Sequence, residues 1–310
     1  MTMESSAVPG PPLDPPPIVP AAMSTTRPLH WSVRRELWEN RSILVAPLVA
    51  AAVVLFGFAL STIGLPHRRR SVLLLDLAQQ RAAIVMAYDV AAMLIILTAY
   101  IVGVFYCLDA LHGERRDRSI LFWKSLPVSD FTTVLSKAGI PLVVLPLLAF
   151  AIIVVTQLMM LLLSDAILML NGLSPATSAQ LPFVQMTVVL LYGLTVNALW
   201  HAPIYGWLLL VSGWARRATF LWAALPPLAI CALEGIAFHT THFASLLQYR
   251  LVGSMEVAFA VKPEDKDVLV RLAQLDPLRF LGTPGLWTGL AFAVAFLAAT
   301  VQLRRYRGPI

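Results

Sequence analysis

Cysteine is scarce in this chain: two in 310 residues, Cys107 and Cys231, each inside an apolar run. That excludes a disulfide framework and a cysteine-based zinc site, and leaves two small buried hydrophobes. Charge is scarce as well, at 13% of residues against 58% hydrophobic, a balance foreign to an ordinary soluble domain. No G-x-x-x-x-G-K-[ST] string occurs, so the chain has no P-loop of its own to cradle nucleotide phosphates. Residues 1–28 lack the basic and apolar regions of a signal peptide. They hold eight prolines and no basic residue before Arg27, which predicts a disordered tail, with Met23 as an alternative start. Basic residues form no stripe with interleaved aromatics, so the net charge of +6 is assigned to membrane orientation and not to nucleic acid.

What the chain has in abundance is long apolar runs. Crossing a hydrocarbon core takes about 20 apolar helical residues, and every backbone amide inside lipid must be satisfied within the segment. The runs are continuous, not alternating, which predicts helices over a barrel. Six spans are expected, at about 43–65, 83–111, 138–163, 183–212, 218–238 and 285–303. Kinks are expected at Pro141, Pro146, Pro203, Pro226 and Pro227. The fold class is therefore all-α and polytopic, with residues 29–310 forming one transmembrane domain.

Ahead of the first span, LHWSVRRELWENR (29–41) places Trp31, Val33, Leu37 and Trp38 near helical spacing, with Arg34, Arg35 and Glu39 on the other side. This pattern predicts an amphipathic helix lying in the headgroup layer and contacting lipid. With the N-terminus taken as cytoplasmic, 14 of the 23 Lys and Arg residues fall inside and 9 outside, and residues 164–182 carry none. Both termini inside is the orientation this bias supports, although Arg68, Arg69 and Arg70 run against it. The last outer segment, 239–284, is too long for a turn. EDKDVLVRLAQL after Pro263 predicts a short helix, and the apolar part from Phe243 to Ala260 suits a stretch that re-enters the outer leaflet.

Between the second and third spans lies HGERRDRSILFWKSLPVSD, residues 112–130. Gly113 and Pro127 bracket helical periodicity, with Ile120, Trp123 and Leu126 on one face and Arg115, Arg116, Asp117, Arg118 and Lys124 around them. Ser129 or Asp130 is placed to cap the following helix. Apolar and aromatic groups give such a segment something to bury in a partner, and its charges fix register.

GERRDRSILFWKSLPVSD resembles the cytoplasmic loop between helices two and three of ATP-binding-cassette (ABC) permeases of the type-2 exporter class. Many bacterial members carry a similar E-R-x-x-x-S-I-L-F-W-K-S-L-P-V-S-D string. The amphipathic first helix, six spans and long segment before the last span extend the likeness over nearly all of the chain after residue 28. The resemblance implies a non-catalytic permease subunit in the bacterial inner membrane, paired with a second copy as a homodimer. It implies a separate ABC ATPase that holds the Mg-ATP, with no cofactor in this chain. Glu114, Arg115, Arg116, Asp117, Arg118, Phe122, Trp123 and Lys124 map onto the coupling helix that would dock on that ATPase. The family also implies re-entrant helices on the outer side after span five, which suits residues 239–260.

Outside the loop, Asn197 and His201 sit one helical turn apart in the fourth span. They are candidates for a substrate path or for an interhelical hydrogen bond. Glu234 near the end of span five is a third candidate, close to His239 and His242 in E-G-I-A-F-H-T-T-H, whose spacing is not that of a zinc protease. No metal site is expected. Two other function classes stay open: an integral-membrane enzyme using His201, Glu234, His239 or His242, and a secondary transporter, although no inverted repeat is evident.

Overall fold

The computed structural model describes residues 26–62, 77–125, 128–172, 181–259 and 274–308. The Pro-rich stretch up to residue 25, Arg68–Arg70, Pro127 and the expected helix after Pro263 lie outside them. The described residues are helical, apart from connecting turns and one isolated antiparallel bridge between Phe259 and Leu275. In chain order the helices are α1 (Thr26–Glu39), α2 (Ser42–Thr62), α3 (Leu77–Asp109), α4 (His112–Arg116) and α5 (Ile120–Ser125). They continue with α6 (Asp130–Gly139), a π-helical segment (Ile140–Val144), α7 (Leu145–Leu170), α8 (Phe183–Trp214) and α9 (Thr219–Phe238). The last are α10 (His242–Val252), α11 (Ser254–Ala258), α12 (Pro277–Gly282) and α13 (Pro284–Tyr306).

Six of these helical stretches are long and apolar enough to cross a membrane: Ser42–Thr62, Ile84–Arg116, Asp130–Leu170, Phe183–Trp214, Thr219–Phe238 and Pro284–Tyr306. Each coincides with an expected span. Their outward faces carry Leu48, Val53, Phe56, Leu97, Phe105, Leu147, Leu162, Leu228 and Leu233, all exposed. A belt of this kind is stable against hydrocarbon and not against water. The chain is a multi-pass membrane protein.

The third span departs most from expectation. It starts at Asp130 instead of about 138, because Ser129 caps it by accepting a hydrogen bond from the Thr132 amide at 3.1 Å. The result is 41 residues of helix, roughly 60 Å at 1.5 Å per residue, about twice the thickness of a hydrocarbon core. The expected irregularity at Pro141 takes the form of a π-helical turn. Proline has no amide to donate and its ring crowds the carbonyl four residues back, and a widened turn accommodates both. Pro146 follows in the first turn of α7, immediately after the widened turn.

The main core joins α2, α3, the π turn, α7 and α8 through Ile43, Ile95, Cys107, Ile140, Ile153 and Leu209. A second cluster sets Val196 and Trp200 of α8 against Val257, Phe259, Phe280 and Leu286. The segment after α9 therefore folds back onto the middle of α8. Arg250 fixes it there: its guanidinium stacks 4.5 Å from the Trp200 ring centre and donates to the Gly285 carbonyl at 2.6 Å. Gly289 leaves room for it, since a Cβ there would lie 2.6 Å from the guanidinium.

Helices α8 and α13 approach most closely at Gly206, where a Cβ would meet the Ala293 carbonyl oxygen and the Phe296 Cβ, each at 3.3 Å. A Gly206→Leu substitution should force the two helices apart at a cost of about 1–3 kcal/mol. It should lower the thermal unfolding midpoint of the purified protein. Gly57→Leu, whose Cβ meets nothing within 4 Å, should not.

Candidate functional site

At the end of the bundle where α3 terminates, four segments bring charged side chains together. Helix α1 contributes Arg35 and Glu36, and α4 contributes Glu114. The start of the third span contributes Asp130 and Lys137, and the end of α13 contributes Arg304. The Lys137 ammonium lies 2.8 Å from Glu36 Oε1 and 3.1 Å from Glu114 Oε1. Arg35 reaches the same two carboxylates at 2.7 and 3.1 Å. Arg304 donates to Glu114 Oε2 at 2.6 Å and to Asp130 Oδ1 at 2.9 Å. The Tyr106 hydroxyl of α3 donates to Glu36 Oε2 at 2.8 Å.

Glu36 and Lys137 are at most 2% exposed, and Glu114 and Arg304 are nearly as buried. Removing such ions from water costs several kcal/mol each, so the arrangement holds only with matched charge and saturated hydrogen bonds. Charge is matched, three carboxylates facing three cations, and every carboxylate oxygen of Glu36 and Glu114 accepts a hydrogen bond, although the buried Arg35 Nε donates none among the described residues. Burial by itself would raise the Glu36 pKa. The Lys137 ammonium, Arg35 and the Tyr106 hydroxyl outweigh it and hold Glu36 below the ordinary carboxylate value.

The 112–125 stretch is two short helices and not the single one expected. Arg118 adopts a left-handed conformation, φ 58°, and breaks the run between α4 and α5. The eight residues singled out here divide into two groups. Four hold the stretch to its own bundle. Glu114 is the centre of the ion network. Arg115 donates to the Gly213 and Ala215 carbonyls at 2.8 and 3.3 Å, which places a cation at the C-terminus of α8 where the helix dipole favours one. Trp123 lies beneath the Arg35 guanidinium, 3.8 Å from ring centre to carbon. Lys124 reaches the Arg305 and Arg307 carbonyls at the end of α13 at 3.5 and 3.4 Å.

The other four point away from the bundle. Arg116 and Asp117 are exposed and paired with each other at 3.0 Å, Arg118 is exposed, and Phe122 is 60% exposed beside Leu121. Ser212 completes the attachment by accepting hydrogen bonds from the Leu111 and His112 amides, each at 3.0 Å.

On α1 the tryptophans do not face the bundle. Trp31 and Trp38 are exposed and flank Arg34, whose guanidinium lies 5.4 and 5.0 Å from their ring centres. Arg34 and Arg35 were expected together on the face opposite the tryptophans; instead Arg34 lies between the tryptophans and Arg35 turns inward to the network.

The remaining candidates are separated. His201 has its two ring nitrogens 2.9 Å from the Asn197 carbonyl and 3.3 Å from the Leu251 carbonyl, so it ties α8 to α10. Asn197 turns its side chain toward a cavity between α3, α7 and α8. Glu234 is engaged elsewhere. It accepts from the His242 and Phe243 amides at 2.7 Å each and from the Thr240 hydroxyl at 2.9 Å, capping the N-terminus of α10. Among the described residues no three His, Cys, Asp or Glu side chains converge as a metal site would require.

Glu36, Asp130, Lys137 and Arg304 were not singled out by sequence as a site. The available signal was Lys137, a lone cation at the mouth of an apolar run. No protein-family model matches the chain, and neither a curated protein nor a solved structure is detectably similar to it.

Lys137→Met should destabilise the protein by about 3–5 kcal/mol, because it strands two buried carboxylates. Adding Glu36→Gln should restore part of the loss, as read by thermal unfolding of single and double variants. The Glu36 contribution is complete above the ordinary carboxylate pKa of about 4.3 and lost as pH falls through the lower folded-state value. The unfolding midpoint should therefore drop on acidification below about pH 4.3, and Glu36→Gln should flatten that drop.

Proposed function

We propose that this chain is the membrane subunit of an ATP-driven exporter of the ABC type-2 class. Its partner would be a separate ATPase that binds and hydrolyses Mg-ATP, and the unit would work as a pair of permease copies. The observation that carries the reading is the divided loop. An outward wedge of Arg116, Asp117, Arg118, Leu121 and Phe122 is backed by a buried network reaching α1 and the second, third and sixth spans. A partner that gripped the wedge and moved it would move those elements with it. Opening the network instead would strand charges in a low-dielectric site.

The wedge has the composition of a docking surface: an aromatic and an aliphatic group to bury, ringed by charges of both signs. The chain itself would do no chemistry, and its work would be conformational. In this reading the wedge end of the bundle faces the cytoplasm of a bacterial inner membrane, with both termini on that side. Helix α1 would lie in the headgroup layer, supported by the exposed Trp31–Arg34–Trp38 sandwich. The fold-back of α10 and α11 onto Trp200 supports a re-entrant element from the opposite face.

The test is copurification of the chain with an ABC ATPase from its native host. Phe122→Asp and Arg116→Glu should each release the ATPase while leaving the unfolding midpoint within a few degrees of wild type. Trp123→Ala should leave the two subunits associated but uncouple transport from hydrolysis, since it loosens the wedge from Arg35. Glu114→Arg should lose both stability and association. An intact wild-type chain that associates with no ATPase would sink the proposal.

A further inference from the structure

Far from the ion network, a cavity of about 280 Å³ opens between α3, α7, α8 and the α11 fold-back. Asp89 lies 20 residues before the end of α3 at Asp109, roughly 30 Å along the axis, so cavity and network occupy opposite ends of the bundle. Most of the wall is apolar, including Met186, Met255 and Phe259. Three polar side chains interrupt it: Asp89, Gln157 and Asn197.

Gln157 is 3% exposed. Its Nε2 donates to the Tyr88 carbonyl at 3.3 Å, which fixes the amide with its oxygen as the free end. That Oε1 is buried and has no hydrogen-bond partner among the described residues. A buried acceptor left unpaired costs about 1–3 kcal/mol, so it is a place where a donor would be bound. Tyr88 immediately precedes Asp89, so Gln157 and Asp89 lie at the same level of the bundle, and both line the cavity. Asp89 is exposed and has neither an ion pair nor a hydrogen bond among the described residues. A carboxylate in an apolar span without a counter-ion is a costly feature to keep without use.

We infer that this cavity binds a small lipophilic amine in its protonated form. The ammonium would donate to Asp89 and to Gln157 Oε1 while the apolar body fills the space lined by Met186, Met255 and Phe259. The polar groups decide the ligand class. An anion would meet Asp89, and a quaternary ammonium could not supply the N–H that Gln157 lacks. Size sets the body: the cavity is nearly twice the roughly 150 Å³ that admits benzene, which gives room for two fused rings. Its mixture of apolar wall and few convergent polar groups is that of a ligand site. The inference goes beyond the coupling reading, since neither the wedge nor an ATPase enters it.

The test is isothermal titration of the full chain in lipid nanodiscs with 2-naphthylmethylamine, with 2-naphthylmethanol as the neutral control and empty nanodiscs subtracted. The amine should show saturable 1:1 binding, and the alcohol should bind about tenfold more weakly or worse, as expected for loss of a charge-assisted hydrogen bond. Asp89→Asn should bring the amine down to the level of the alcohol, and Gln157→Met should weaken it about fivefold. Gly193→Leu offers an independent check. Gly193 lines the cavity, and a Cβ there meets only Phe259 at 3.7 Å, so a larger side chain should fill the space and abolish saturable binding with the fold intact. Partitioning without saturation, equal affinity for amine and alcohol, or binding unchanged in both Asp89→Asn and Gly193→Leu would each overturn the inference. Titration needs no nucleotide or ATPase, so its failure leaves the coupling proposal standing, and the reverse holds too.

Discussion

The Lys137 ammonium sits between the Glu36 and Glu114 carboxylates with almost no water around it, and much of the molecule is arranged so that this can be so. An isolated ion in such a place would shift its protonation state or unfold its surroundings. Here Glu36 has two cationic neighbours and Glu114 three, and the last free oxygen of Glu36 takes the Tyr106 hydroxyl. The network is therefore inexpensive only when it is closed as a whole. Segments that share it, from residue 35 to residue 304, are obliged to hold a fixed relation at this end of the bundle. Apolar packing could bring the same helices together, but it would let them slide at small cost.

That rigidity explains why the 112–125 stretch takes the form it does. A loop between two spans could have been a flexible tether. This one is fastened at Glu114 to the network, at Arg115 to the end of α8, at Trp123 to α1 and at Lys124 to the end of α13. The left-handed Arg118 then turns the chain so that Phe122 and Leu121 project while the neighbouring Ile120 is buried. Rigid backing and a projecting apolar pair are what transmission of a displacement needs, whichever partner supplies it.

The spans were legible because the solvent dictates them. Some 20 uninterrupted apolar residues have few alternatives in a chain this poor in charge. The Ser129 cap and the irregularity at Pro141 were legible for the same local reason, since a side-chain hydroxyl and a missing amide act on their own neighbours. The network was not. Glu36 looked like one more polar residue on an amphipathic helix, and Arg304 like a positive charge at a helix end. What makes them a unit is tertiary proximity across as many as 190 residues, which no periodicity encodes. Glu234 was misleading in the opposite sense: an acid in an apolar run suggested a path for substrate, whereas the amides eight and nine residues on use it as a cap. Arg118 could not be anticipated, because a single left-handed residue other than glycine has no sequence signature.

The two polar regions of the bundle differ in one respect that bears on their use. At the network end the buried carboxylates Glu36 and Glu114 are matched by cations, so a ligand entering there would have to compete with ion pairs already made. At the cavity end Gln157 keeps an unused acceptor and Asp89 an unmatched charge, both beside open volume. Polar groups satisfied by the protein serve its own architecture, and those left unsatisfied next to space are available to something else. The division between the ends follows from that difference in saturation. It also separates the two roles physically, since an occupant of the cavity touches α3, α7 and α8, and the network grips extensions of the first two of these helices at their far ends.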